Sequence, residues 1–256
     1  MLAVIWRFSF IFILTASSFS SFAVTIPKQL TKEDRVSVVK LLGLPTSTKL
    51  LTNPFPLGGY SGFEVGLSLE LIDIRDLNSL GAGSTDGDQE LRYPRLTVGK
   101  GLYNNVDLFL HFAPMSSGSE MTSFGGAVRY SFFEARFLPI NMSLVLNADH
   151  VNINDDFENT SLGADVVAGI YVNQFSLYFG AGQLRASGTF IGGTNADGTV
   201  DVGDPQLGAQ TNTVTHTVSQ THSYLGATIH FDDVFAAAQI DRYPETAYSA
   251  RVGLRF

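Results

Sequence analysis

Apolar and polar residues alternate along most of the chain after residue 60. Between Ser61 and Asp73, every second residue from Phe63 is apolar, and polar residues or glycine stand between them. A period of two is typical of a β-strand with one apolar and one polar face. Further stretches of this kind predict strands at Leu91–Lys100, Val106–Pro114, Met121–Phe133, Ile140–Val151, Thr160–Val172, from Phe175 onward, and at Thr221–Phe231, Val234–Tyr243 and Ala247–Phe256.

The connections between these predicted strands alternate in length. Those near residues 101, 134, 173 and 232 are short turns, whereas those near residues 75, 115, 152, 186 and 244 are mostly longer and polar. Short turns at one end and longer loops at the other are features of a transmembrane barrel. Lipid cannot satisfy an open sheet edge, so such a sheet must close. The pattern therefore predicts an all-β fold, a transmembrane antiparallel up-and-down β-barrel of about ten strands.

A soluble barrel or sandwich would show the same alternation with its apolar face turned inward. Here the apolar face carries large aliphatic and aromatic residues in nearly every predicted strand, and the polar face is rich in glycine, serine, asparagine and charge. The membrane barrel is therefore the preferred interpretation. It places the longer connections outside and both termini in the periplasm.

The last ten residues carry the alternation to the end of the chain. Every second residue from Tyr248 to Phe256 is apolar, and Arg251 and Arg255 lie on the opposite face. A final strand that ends on an aromatic residue resembles the closing strand of bacterial outer-membrane β-barrel proteins, and the resemblance extends over residues 60–256 as a broad class. In that family such a strand is read by the barrel-assembly machinery, which implies an assembly signal at Tyr248, Val252, Leu254 and Phe256.

The first 59 residues follow a different pattern. Arg7, an apolar run from Phe8 to Leu14 and small residues up to Ala23 have the layout of a secretory signal peptide that is cleaved after residue 23. The apolar run is too short for a spanning helix, which needs about 20 apolar residues. We expect residues 24–59 to form a periplasmic N-terminal segment and residues 60–256 to form the barrel.

Within the N-terminal segment, residues 30–43 predict a short helix. Thr31 is suited to the N-cap, Asp34 stands three residues later as in a capping box, and Gly43 and Pro45 end the helix. Two positions for it are open: in the periplasm, leading into the barrel or covering its mouth, or inside the lumen as a small plug. The proline-rich stretch 45–60 is expected to be a linker.

The composition excludes several classes of protein. The chain has 256 residues, of which 45% are hydrophobic and 16% charged, with 25 glycines and no cysteine. Low charge disfavours disorder, and the absence of cysteine excludes a disulfide scaffold. The net charge of −8 lacks the basic footprint of a nucleic-acid-binding protein. The partners expected are outer-membrane lipid and the barrel-assembly machinery, with no cofactor and with the oligomeric state open.

Charged residues are also predicted on the inward, polar face of the strands. A charge in a narrow interior needs a partner. Barrels of about eight strands are filled by side chains, whereas those of 16 or more leave a channel, so ten strands lie near the closed end. The groups would either line a hydrated passage or form a sealing network, which is preferred: Glu64, Glu70, Arg95, Asp107, Arg129, Asp149, Asp165, Asp241, Arg251 and Arg255.

Groupings that would support catalysis or metal binding are weak. A rim protease needs paired carboxylates, but neighbours in an extended chain point to opposite sides. A deacylase-like site needs His and Ser two residues apart. The residues concerned are Asp155, Asp156 and His150 for the first, and His222, Ser223, His216 and Ser219 for the second. The oxygen-rich loop residues Asn195, Asp197, Asp201 and Asp204 lack EF-hand spacing, so no catalytic, cofactor or metal site is predicted.

Three functional hypotheses follow from the sequence. The first is a non-enzymatic integral outer-membrane barrel, either structural or a narrow passive channel. The second is a surface adhesin or receptor that acts through the predicted long loop, residues 186–220. The third is a hydrolase at the outer rim that depends on His150 or His222.

Overall fold

The computed structural model describes residues 24–82, 90–103, 105–113, 121–135, 137–194, 198–202 and 212–256. The predicted signal peptide, residues 1–23, lies outside the described residues. Eleven strands are present in the described part: β1 (Phe63–Asp73), β2 (Glu90–Gly101), β3 (Val106–Ala113), β4 (Met121–Glu134), β5 (Ile140–Ile153), β6 (Phe157–Val172), β7 (Phe175–Thr194), β8 (Val200–Val202), β9 (Asn212–Phe231), β10 (Val234–Arg242) and β11 (Thr246–Arg255).

Ten of these strands form a closed antiparallel barrel. Each pairs with its neighbours along the chain, β7 pairs with β9, and β1 pairs with β11. The short β8 lies in the connection to β9 and pairs with the end of β7, outside the ring of ten. The predicted up-and-down barrel of about ten strands is therefore confirmed.

The two faces of the barrel wall are those that the alternation predicts. Large apolar side chains are exposed on the outside, among them Leu110 (58% exposed), Phe124 (62%) and Leu162 (57%). Together they form an apolar belt around the outer surface. Residues from the alternate positions, such as Glu64 and Asp107 (both 0% exposed), are buried inside.

Aromatic rings on the inner face lie over glycines of the paired strand. Tyr178 on β7 is opposite Gly226 on β9, and Tyr224 on β9 is opposite Gly180 on β7. A Cβ atom at either glycine would overlap the opposite tyrosine ring. These glycines therefore allow the rings to lie against the wall and fill the lumen from the side.

The predicted long loop at residues 186–220 is wrong over most of its length. β7 continues to Thr194 and β9 begins at Asn212, so the two strands pair well beyond the apolar belt. In this extension the faces are reversed, because Thr215 and Thr217 are exposed on the outside and Phe190 is buried inside. The apolar-out pattern stops at the edge of the apolar belt, whereas the strand does not, and this reversal hid its continuation.

A short helix, α1 (Lys32–Val38), precedes the barrel and continues as a π-helical turn to Gly43. Its predicted capping box is confirmed, because the Thr31 hydroxyl accepts a hydrogen bond from the Asp34 amide and the Asp34 carboxylate accepts one from the Thr31 amide. Within the described ranges, no helix is long and apolar enough to cross a membrane.

The N-terminal segment, residues 24–59, lies inside the barrel and not beside it. Asn154, in the β5–β6 turn, donates to the carbonyl of Val24, and Leu30 pairs through its backbone with Val200. The segment then passes down the lumen, and Tyr60 reaches the opposite end beside Lys100. We call the end with the longer connections the loop end, and the end with the short turns the turn end. The plug, the second of the two positions expected for the helix, is the one found.

Candidate functional site: the plugged lumen

The lumen is filled by residues 44–57, which we call the plug strand. Its side chains are almost all buried, although only Lys49 among them is charged. The buried charges of the wall are arranged around this strand at successive levels from the loop end to the turn end. Its contacts with the wall define the candidate site.

At the upper level, Lys49 enters a buried cluster on β1 and β2. Its ammonium group contacts Glu70, which also lies 3.1 Å from Arg95 and accepts a hydrogen bond from Tyr93 at 2.9 Å. Arg95 in turn donates to the backbone carbonyl of Thr46 at 2.7 Å. One wall carboxylate is thereby shared between a cation of the wall and a cation of the plug strand.

The next contact comes from β5. Asp149 accepts hydrogen bonds from the backbone amide of Thr48 at 2.8 Å and from its hydroxyl group at 2.5 Å. The second oxygen of Asp149 lies 2.6 Å from the imidazole of His111 on β3. The carboxylate therefore holds both the main chain and a side chain of the plug strand.

At the level nearer the turn end, two wall cations hold plug-strand oxygens. Arg129 pairs with Asp107 at 2.8 Å and donates to the backbone carbonyl of Asn53 at 2.6 Å. Arg255 donates to the Asn53 side chain at 2.6 Å and to the carbonyl of Pro56 at 2.8 Å. Asp107 completes this level by accepting from the amide of Leu57 at 3.1 Å.

The two arginines of β11, Arg251 and Arg255, have different kinds of partner. Arg251 lies 3.1 Å from Glu64 on β1, and Glu64 also accepts a hydrogen bond from Thr52 at 2.8 Å. Arg255 has carbonyl and amide oxygens of the plug strand instead of a carboxylate. An acid on β10 is therefore not the partner of either arginine.

Two of the predicted inward charges face other wall residues. Asp165 lies 2.7 Å from His222, and Asp241 accepts a hydrogen bond from Gln239 at 2.8 Å. Tyr178 donates to the same Gln239 at 2.9 Å. Of the ten predicted lumen charges, nine are buried and Arg255 is partly buried.

Sequence reasoning missed the plug-strand half of this site. Lys49, Thr48 and the backbone carbonyls of residues 46–56 were assigned to a linker. The available signal was Lys49 itself, the one charged residue in the stretch 45–60.

The loop end is closed by α1 and the residues around it. Val38, Val39 and Leu42 of the helical segment pack in one apolar cluster with Phe157 and Phe190 on the inner wall. This cluster lies inside the extended part of β6, β7 and β9, beyond the apolar belt. The hydrophobic effect therefore holds α1 in place at the loop end, where the charge network of the plug strand ends.

One histidine, His216, connects α1 to the extended part of β9. Arg35 on α1 donates to Nε2 of His216 on β9 at 3.0 Å and to the carbonyl of Leu30 at 2.8 Å. Because that imidazole nitrogen accepts, His216 is neutral in this arrangement. Partial burial, with the charges of Arg35 and Lys32, lowers the pKa of His216 below its ordinary value.

We expect acidification to loosen the docking of α1. An imidazolium at His216 cannot accept from Arg35 and adds a positive charge beside it. Because the folded-state pKa is lowered, the stabilisation is present above about pH 6.5 and is lost as pH falls through the folded-state value. Hydrogen-exchange protection factors of residues 31–43 should therefore fall between pH 7.5 and pH 5.

Two glutamine variants separate this effect from general acid sensitivity. In His216→Gln the amide oxygen still accepts from Arg35, so protection at pH 5 should match protection at pH 7.5. His150→Gln changes an outward histidine that bonds Thr160, and it should keep the wild-type dependence. Equal protection at both pH values in the wild-type protein would contradict the role of His216.

The residues of the rim-site hypotheses do not form a common site. His150 faces outward and packs against Phe124, whereas His222 faces the lumen. Asp155 stands in the exposed β5–β6 turn with Asp156 beside it, Ser223 is on the opposite face from His222, and both His216 and Ser219 lie in β9. Within β9, His222 and Ser223 are one residue apart and His216 and Ser219 are three apart, so each of these two pairs is divided between the faces of the strand.

The oxygen-rich loop that was considered for metal binding falls mostly outside the described part of the chain. Asn195, Asp197 and Asp204 lie outside the described residues, as does the side chain of Asp201. Across the ranges that the structure covers, no group of three or more His, Cys, Asp or Glu side chains is arranged to hold a metal ion.

No protein-family model and no curated protein matches the chain. The solved structures that it matches include outer-membrane barrels. The N-terminal β-barrel domain of Pseudomonas aeruginosa OprF is 14% identical, over 77% of this chain and 99% of that chain, with a TM-score of 0.36. For Pseudomonas aeruginosa OprG these values are 11%, 80%, 99% and 0.34. For Ail, the attachment invasion locus protein of Yersinia pestis, they are 12%, 76%, 97% and 0.31.

Likeness at this level assigns no family, so the fold class rests on the strand pairing of the chain itself. Every neighbouring pair of the ten long strands is antiparallel. The ring is closed because β1 pairs with both β2 and β11, and β7 pairs with both β6 and β9. The apolar belt surrounds a polar interior. The chain is a closed ten-stranded antiparallel β-barrel with the architecture that outer-membrane barrel proteins use.

Proposed function

We propose that the protein is a non-enzymatic, integral outer-membrane barrel whose lumen is sealed by its own N-terminal segment. The observation that supports this is the plug strand, which is bonded to wall residues at every level from Glu70 to Asp107. It occupies the space that a solute would need. In this proposal the barrel is structural, and it does not conduct in its resting form.

The outer surface supports the membrane part of the proposal. The apolar belt places side chains such as Leu110, Phe124 and Leu162 where only lipid would cover them favourably. Tyr248 (53% exposed) and Val252 (48%) on β11 face outward with Leu254, and Phe256 (57%) follows the end of the strand, as an assembly signal requires. Outer-membrane lipid and the barrel-assembly machinery are the partners that this proposal needs.

The charge arrangement distinguishes a sealed barrel from a passive channel. A channel keeps its wall charges solvated, whereas here Glu70, Asp107 and Arg129 are buried with partners on the plug strand or the wall. Displacing the plug strand would separate buried charges from these partners, which is costly. The resting lumen is therefore expected to stay closed without any external ligand.

Recordings from planar bilayers test the sealed state. The full-length folded protein, inserted in a bilayer, should show no single-channel steps over a wide range of applied voltage. Its folded state is verified beforehand by heat-dependent mobility on gels. Regular conductance steps from the folded protein would refute a sealed lumen and would favour the passive channel.

A further inference from the structure

We infer that the barrel carries its own N-terminal segment to the outer face of the membrane, so that the chain crosses the membrane an eleventh time through the lumen. This inference rests on the proposed function, which places the longer connections outside. It differs from the expected topology, in which the N-terminal segment and Phe256 both lie in the periplasm.

The contacts of the segment follow one direction along the barrel axis. Val24 lies at the β5–β6 turn, and Lys28 accepts at its carbonyl from Ala82 in the β1–β2 connection, both at the loop end. The plug strand then meets Glu70 before it meets Asp107, and these lie toward opposite ends of the wall.

The segment leaves the lumen at the other end. Gly62 accepts at its carbonyl from the amide of Gly101, the last residue of β2, and Phe63 exchanges two backbone hydrogen bonds with Phe256. β1 begins at this turn end and runs back toward the loop end. Residues 24–62 therefore pass through the barrel once, in the direction opposite to β1.

The length of the plug strand is sufficient for a crossing. Leu57 follows Leu44 by 13 residues, and an extended chain of that length reaches at most about 45 Å. The apolar band of an outer-membrane barrel is about 25 Å tall, so the strand spans it even with local turns. Without this crossing, Arg129 and Arg255 would lose the backbone oxygens that satisfy them.

The crossing has a consequence for function. Lys28, Gln29, Lys32 and Glu33 are exposed at the loop end, so this part of the N-terminal segment belongs to the external surface together with the β7–β9 extension. Any sequence placed ahead of residue 24 would be presented outside the cell. The barrel thereby acts as a display device for its own N-terminal end, which is a role beyond sealing the membrane.

Single cysteines test this topology directly, because the chain contains no cysteine. Lys28→Cys and Ser61→Cys place exposed thiols at the two ends of the N-terminal segment. Ser79→Cys in the β1–β2 connection and Gln174→Cys in the β6–β7 turn are exposed controls for the loop end and the turn end. Each variant is treated with a large, membrane-impermeant maleimide, first on intact cells and then after the outer membrane is permeabilised.

We expect Lys28→Cys and Ser79→Cys to be labelled on intact cells, and Ser61→Cys and Gln174→Cys only after permeabilisation. Labelling of Ser79→Cys without Lys28→Cys on intact cells would refute the eleventh crossing while leaving the outer-membrane barrel in place. Labelling of none of the four variants on intact cells would instead refute the proposed location and orientation, and with them the external position of the N-terminal segment.

Discussion

Replacing Glu70 by alanine is expected to destabilise the folded barrel by about 3–5 kcal/mol. The Glu70 side chain is 0% exposed and is contacted by Lys49 and Arg95, whose side chains are each 1% exposed. Its removal leaves two buried cations with only backbone oxygens and Tyr93 as partners. The protein is reconstituted in bilayers and titrated with urea, and the folded fraction is read from the heat-modifiable band on a gel. The change in stability is the shift of the urea midpoint.

An exposed ion pair supplies the matched control. Glu90 on β2 pairs with Arg92, and these side chains are 48% and 51% exposed. Glu90→Ala removes the same chemical group from the pair, but it should cost no more than about 1 kcal/mol because water replaces the lost partner. If Glu70→Ala and Glu90→Ala shift the urea midpoint equally, the buried network does not hold the plug strand.

Removal of residues 24–57 is expected to convert the silent barrel into a conducting one. The ten barrel strands pair with one another and do not need the plug strand to close the sheet. From strand spacing and tilt, a ten-stranded barrel has a backbone radius of roughly 10 Å, enough for a narrow aqueous passage once the segment is gone. Single-channel recording should then show regular steps that are absent from the full-length protein.

A point variant keeps this prediction testable if the deletion does not fold. Lys49→Glu puts a carboxylate against the buried Glu70, so the plug strand should be expelled part of the time and produce intermittent openings. Lys28→Glu makes the same change at the exposed end of the segment and should remain silent. Silent recordings from folded Lys49→Glu and from the folded deletion variant would both contradict occlusion by the plug strand.

The barrel itself was predictable from local pattern. From Phe63 to Leu71 and again from Tyr248 to Phe256, residues alternate between the outer face and the lumen, as the period of two indicates. The polarity of each strand residue depends on the face that it occupies. The strand and its two faces can therefore be predicted from neighbouring residues alone, without knowledge of distant contacts. The same locality explains why the capping box at Thr31 and Asp34 was found.

The β7–β9 extension shows where prediction from the local pattern fails. Below the belt edge the outer face is apolar, as at Leu225, and above it the outer face is polar, as at Thr215 and Thr217. A strand that passes from lipid into water reverses the polarity of both faces without a break in its hydrogen bonding. The alternation therefore predicts that the strand ends at the edge of the apolar belt, although the paired backbone continues.

By itself, the sequence determined the strands within the apolar belt, their faces and the enclosed charges, because these depend on a two-residue period and on the cost of exposing polar groups to lipid. Only the tertiary structure decided where the N-terminal segment lies. That segment has no period, and its contacts join residues far apart in the chain: Thr48 bonds Asp149, 101 residues away, and Asn53 bonds Arg255, 202 residues away. A buried charge requires some partner, but which one it meets is known only once the barrel has closed around the strand.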